Sequence, residues 1–171
     1  MLNLHIGGKE PHPDWKILNI SPSPEVDYVA NAIDLSMFEN ESVDQIYASH
    51  VLEHLSCQEA GVALTEWYRV LKKGGKLFVS VPNLKTLSKL ILRDDLLYDE
   101  LIHVISMIYG GQIDQYDFHK YGYTIENLTH LLKTVGFGFI IQVDQFGMFR
   151  DASTIVYCNE LISLNVIAHK E

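Results

Sequence analysis

The sequence predicts an α/β domain of Rossmann-like type: a mostly parallel sheet, helices on both faces, one antiparallel strand at the C-terminal end and a shortened N-terminus. Three observations point there. Between residues 41 and 136, apolar strand-like runs alternate with helix-period segments, the pattern of parallel strands joined by crossover helices. The two closing runs, 138–144 and 161–170, have no helix between them, so they form a hairpin and bring in one antiparallel strand. The chain has 171 residues, 47% of them hydrophobic, which suits a single domain, 1–171, with a sizeable core.

The elements follow in order. "LNLHIGG" (2–8) reads as a short strand ending in a glycine turn. "KEPHPD" (9–14) carries two prolines and excludes a helix of any length. "WKILNI" (15–20) is a second strand, and "DYVANAIDL" (27–35) holds a short strand or helical turn. "ESVDQIYAS" (41–49) is a strand with a polar lead-in. A helix is predicted from Ser56 to Lys73: Ser56 and Glu59 form a capping box, and Leu64, Trp67, Tyr68 and Leu71 repeat at helical spacing. Lys72–Lys73 and Gly74–Gly75 read as its C-terminal charge and stop. "KLFVSVPN" (76–83) is apolar without strict alternation, as a central strand is.

Residues 84–111 read as one or two helices and 112–122 as loop, so 84–123 is a helical and loop lid inserted into the domain. Leu97, Leu101, Ile105 and Ile108 form an apolar stripe there, fit for core, lid or a homodimer surface. Thr124 starts a further amphipathic helix, closed by Gly136.

Composition narrows the function. The net charge is −9 and no basic face is evident, so nucleic acid is not an expected partner. Cys57 and Cys158 stand alone, without finger or redox spacing. Neither a signal peptide nor an apolar run of membrane-spanning length is seen, so a soluble, cytoplasmic protein is expected, with no membrane partner. In open α/β sheets, ligands bind beyond the carboxyl ends of the strands, which groups Gly7–Gly8, Asn19–Ser21, Ser49–His54 and Pro82–Asn83 around one crevice.

Three stretches then carry a resemblance. "DLSMFENESVDQIYASHVLEHLS", "EWYRVLKKGGKLFVSVPN" and "HKYGYTIENLTHLLKTVGF" occur in order and at suitable spacing. Together they resemble the class I S-adenosylmethionine-dependent methyltransferases, and most closely the small type 11-like members. The resemblance implies S-adenosylmethionine as cofactor and methyl transfer to oxygen or nitrogen of a small-molecule or sugar-like acceptor. It implies cofactor contacts at Asn3, His5, Gly7, Gly8, Asn19, Asp34, Leu35 and Ser49. Here the first turn departs from the family: Asn3 replaces an acid, His5 the first glycine, Lys9 the last glycine, and Asn19 the acid that pairs with the ribose. Those departures keep a second reading open, a non-enzymatic binding or scaffold protein on the same fold. No G-x-G-x-x-G follows the first strand, which disfavours a dehydrogenase.

"SHVLEHL" (49–55) places His50 and His54 four apart, a spacing shared with HExxH zinc sites. Glu53 adjoins the second histidine rather than the first, and no third ligand has a fixed spacing to them, so no metal site is read from the sequence. By the resemblance, His50, His54 and His119 are the candidate catalytic residues, with a general base for an oxygen acceptor the role such residues would fill. Bracing of local backbone is the competing role for each.

Overall fold

The computed structural model describes residues 1–171. Seven strands form one sheet: β1 (Asn3–Ile6), β2 (Lys16–Asn19), β3 (Tyr28–Val29), β4 (Val43–Ser49), β5 (Leu71–Pro82), β6 (Ile140–Val143) and β9 (Ser163–His169). Their order is β3-β2-β1-β4-β5-β9-β6. All neighbours are parallel except β9, which runs antiparallel to both β5 and β6. The predicted α/β class, a mostly parallel sheet with one antiparallel strand near the C-terminus, is therefore the observed one. A separate two-stranded hairpin, β7 (Val156–Tyr157) with β8 (Glu160–Leu161), was not foreseen. Its turn residues Cys158 and Asn159 both take positive φ, as a two-residue hairpin turn requires, but no glycine announces it.

Helix α1 (Cys57–Val70) starts on the predicted capping box: Ser56 Oγ accepts from Glu59 N–H, and the Glu59 carboxylate accepts from Ser56 N–H. Its C-terminal end differs from the prediction. The chain turns extended at Leu71, because that buried side chain belongs to the sheet, where Leu71 pairs with Val43. Lys72 and Lys73 thus lie beyond the helix. The cation at its end is Lys170, 6% exposed, whose ammonium donates to the carbonyls of Tyr68 at 2.8 Å and Leu71 at 2.7 Å.

The two faces of the sheet are covered differently. Leu4, Ile6, Ile46, Ala48, Leu77 and Val79 point to the face where Ala63, Leu64 and Trp67 of α1 and Leu128 and Leu132 of α4 (Ile125–Val135) complete the main core. On the other face, Trp15, Tyr47 and Phe78 pack against Phe146, Met148, Phe149 and Ile167. That cluster contains no helix residue, so loop aromatics stand where helices were expected. The cause is the connection from β1 to β2, residues 7–15, which Pro11 and Pro13 keep from forming a helix.

The chain from β3 to β4 also lacks a helix, and α1 holds it instead. Trp67 Nε1 donates to Ala32 O at 2.8 Å, while Arg69 donates to Leu35 O and Phe38 O, each at 3.0 Å. Residues 84–123 comprise α2 (Leu84–Ile91), α3 (Tyr98–Tyr109) and a loop. Leu87, Leu90, Val104 and Ile162 form their small core, with Ile108 packed against it, whereas Leu97 stays exposed. No helix is long and apolar enough to cross a membrane.

Candidate functional site

The strand order reverses direction at β1, which has β2 on one side and β4 on the other. Such a switch point opens a crevice at the carboxyl ends of the strands. Here it is a cleft of about 460 Å³, walled by the ends of β1 and β2, by the segments after β3 and β4 and by residues of loop 113–120.

Each wall has a local cause. Gly7 takes φ +77, a backbone state that favours glycine, and a Cβ there would lie 2.7 Å from Val51 Cγ2. Its N–H donates to Leu18 O at 2.8 Å, which fixes the turn on β2. Asn19 ends β2 inside the cleft; its Nδ2 donates to Gly8 O at 3.0 Å and its Oδ1 accepts from Ser21 N–H at 3.0 Å. Each of those atoms keeps capacity for a second hydrogen bond. Ala30, Asn31 and Ala32 form the next part of the wall, held in place by Trp67. His50, Val51, His54 and Leu55 follow β4. His50 itself adopts φ +54, unusual for a non-glycine residue and typical of functional turns.

Of the residues named from sequence, the structure brings Gly7, Asn19, His50 and His54 together in the cleft. His119 stands beside them, its ring 4.8 Å from that of His54. The others lie elsewhere. Asn3 is at the amino end of β1, where Nδ2 donates to Asp14 O, in a different hollow beside Trp15. His5 points under the turn to the opposite face, 5.0 Å from the Tyr47 ring and 4.3 Å from that of Phe149. Burial pushes its pKa down to about 4, so the ring is neutral near pH 7. A Cβ on Gly8 would lie 2.7 Å from that ring, so the lack of a side chain at position 8 makes room for His5. Asp34 is exposed, and hydrogen bonds from Ser36 hold its carboxyl below the usual carboxylate range. Leu35 is fully buried in the core. Ser49 shares the face of Tyr47 in β4 and lies near Asp151. For His5 and Ser49 the physical reason is alternation: successive strand residues face opposite sides, and these two share the side of Tyr47.

The wall formed by His50 and His54 rests on a buried carboxylate. Glu53 is 1% exposed, and its Oε1 lies 3.1 Å from His50 Nδ1. The contact has the distance of an ion pair without the alignment of a hydrogen bond, and neither carboxylate oxygen has a donor. His50 Nε2 meets Ser163 Oγ at 2.9 Å, and that hydroxyl is also 2.9 Å from Ala152 O. The Glu53 carbonyl accepts from Lys120 N–H at 2.7 Å and more weakly from Tyr121 N–H, so the loop is tied to this turn. Burial lowers the pKa of His119, with the Glu53 charge opposing the shift.

Sequence reasoning missed Lys9 as a cleft residue, the wall at Ala30–Ala32, and the loop residues Ile113–Asp117 and Lys120. The signal available was position: residues directly after β3 stand at the same level as those after β1, β2 and β4. Lys9 makes neither a hydrogen bond nor an ion pair.

Residues 14–79 match the family model described as "Methyltransferase domain". No curated protein sequence matches the chain. A SAM-dependent methyltransferase from Archaeoglobus fulgidus superposes with TM-score 0.61 at 19% identity, over 99% of this chain and 86% of that one. One from Thermotoga maritima gives 0.60 at 16% identity, over 99% and 81%. A "possible exported protein" of Bordetella parapertussis gives 0.59 at 13% identity, over 98% of this chain. This chain spans 61% of the length of that last protein. At such identities the likeness is one of fold, and the fold is that of the class I S-adenosylmethionine-dependent methyltransferases.

Proposed function

We propose that this chain, which carries the class I methyltransferase fold and matches the methyltransferase domain over residues 14–79, binds S-adenosylmethionine in the switch-point cleft. It then directs the methyl group to oxygen or nitrogen of a small-molecule or sugar-like acceptor. One observation carries the reading. The glycine turn after β1, the end of β2 and the segment after β3 form a continuous wall on one side of His50 and His54.

The residues present fit the cofactor. Gly7 holds the turn at φ +77 against Val51 and lines the cleft without a side chain of its own. Asn19 offers its spare lone pair and N–H to a ribose diol, as an uncharged replacement for an acid. Lys9 offers an unpaired ammonium to the carboxylate of the methionine end. That charge stands in for the helix N-terminus that the proline-containing connection removes. Ala30–Ala32 offers a small-residue wall for the adenine.

Bound S-adenosylmethionine supplies an electrophilic methyl group. The protein's part is alignment and proton removal. Holding the acceptor in line accounts for much of the rate. An oxygen acceptor must also lose its proton, and His54, at the cleft wall, is the base in this reading, a contribution on the order of 10²–10⁴. His50 is less available, because its two nitrogens face Glu53 and Ser163. Loop 110–122 serves as the lid. Cys57 and Cys158 are both free, which suits the reducing cytoplasm.

The test is turnover. The protein is incubated with S-adenosylmethionine and a panel of hydroxylated and amino acceptors, and S-adenosylhomocysteine is quantified by mass spectrometry. Acceptor-dependent product, reduced at least 100-fold by His54→Ala, supports the reading. Asn19 in place of an acid favours the alternative of a cofactor-free binding protein. Under that alternative no acceptor yields product and no cofactor is retained.

A further inference from the structure

We propose that Glu53, His54 and His119 form a binding site for one divalent transition-metal ion of the zinc class. Their candidate ligand atoms all lie within 4.8 Å of one another. The sequence showed only two histidines on a turn and lacked a third ligand; the fold supplies it as His119, from the loop that packs on that turn.

The unsatisfied atoms point to a ligand. Glu53 is 1% exposed, and both of its carboxylate oxygens lack a hydrogen-bond partner. His54 Nδ1 is likewise buried without a partner. Buried polar atoms are ordinarily paired, and a buried carboxylate with no donor is costly. His50 Nδ1 stands 3.1 Å from Oε1 without the alignment of a hydrogen bond, and the second oxygen meets no donor. A cation inside the triangle satisfies the carboxylate and both imidazoles at once. Two imidazole nitrogens and one carboxylate oxygen are a common ligand set for zinc, and three protein ligands leave a position open. Only small side-chain movements are needed to bring atoms this close to bonding distance.

The site has a structural consequence. His119 belongs to the loop that borders the cleft, while Glu53 and His54 belong to the turn beneath it. A shared ion clamps loop 110–122 to the cleft wall. The backbone bonds from Lys120 and Tyr121 to Glu53 O already hold the two in register for it. Ion binding and the base role of His54 exclude each other, because an imidazole coordinated through Nδ1 carries its proton on Nε2 and takes none from an acceptor; the inference does not depend on cofactor binding, and its readout is independent of methyl transfer.

The experiment is titration of the full, chelator-treated chain with Co²⁺, followed by visible absorption, with Zn²⁺ added afterwards as competitor. Expected is an intense d–d band saturating at one equivalent and abolished by Zn²⁺. His119→Ala and Glu53→Gln each weaken Co²⁺ at least tenfold, while His130→Ala, an exposed helix residue, changes nothing. Circular dichroism confirms folding, and His119→Ala, a loop change, carries the test if Glu53→Gln unfolds. Absence of the band in the natural sequence overturns the proposal. So does a band of equal affinity in folded His119→Ala.

Discussion

His50 and Glu53 meet at 3.1 Å on the cleft wall, an imidazole beside a carboxylate that is almost wholly buried. Removing the imidazole leaves the buried carboxylate without its partner at ion-pair distance, and an uncompensated buried charge typically costs about 3–5 kcal/mol. His50→Ala should therefore lower unfolding free energy by about 3 kcal/mol in urea titrations at pH 7, with no gain from the backbone, because Ala keeps the Cβ that makes φ +54 costly. The double variant with Glu53→Ala should cost less than the sum of the singles, with a coupling of at least about 1 kcal/mol. Additive losses would show that the two do not interact.

Lys170 is the C-terminal cap of α1. Lys170→Met keeps the apolar stem and removes the donors to Tyr68 O and Leu71 O. A loss of about 2–3 kcal/mol is expected, with at least two carbonyls left unpaired. Lys72→Met, at a half-buried surface ion pair to Asp44, should cost under about 1 kcal/mol. Equal effects would return the capping role to the lysine pair that the sequence suggested.

His5 makes stability depend on pH in a defined direction. Its folded pKa is about 4 against a usual value of 6.5, so between those values the unfolded chain binds more protons than the folded one. Stability present above pH 6.5 is therefore lost as pH falls towards 4, by about 3 kcal/mol in total. His5→Leu should flatten that part of the profile, measured as melting temperature from pH 7.5 to 4.5. An unchanged slope would mean that the ring is solvated.

Lys9 and Asp34 separate two accounts of the cofactor end. Lys9→Ala should weaken S-adenosylhomocysteine about fivefold and reduce the salt dependence of binding, as loss of one exposed charge contact does. Asp34→Ala should leave affinity within about twofold, since its carboxylate is exposed and held by Ser36. A large loss at Asp34 with none at Lys9 would restore Asp34 as the cofactor contact that the family resemblance implied.

The sheet was legible because its signals are local. The capping box at Ser56 and Glu59, the mainly apolar run 77–82 of β5 and Gly136 closing α4 each act within a few residues. The site was only partly legible because its geometry depends on which way each strand side chain points. His5, between Leu4 and Ile6, faces away from the main core and ends beneath Gly8. The end of α1 was misplaced for a related reason: its cation, Lys170, arrives from beyond β9, and no pattern near Lys72 records that. His119 was named, but its meeting with Glu53 and His54 depends on the path of a loop.

Calorimetric titration of the unmodified chain with S-adenosylhomocysteine tests the central claim most directly. The account predicts saturable heat for one site at micromolar ligand, and loss of that heat in a folded Gly7→Val variant, whose side chain would occupy the turn beside Val51. No heat at high micromolar ligand, or undiminished heat in that variant, would contradict it.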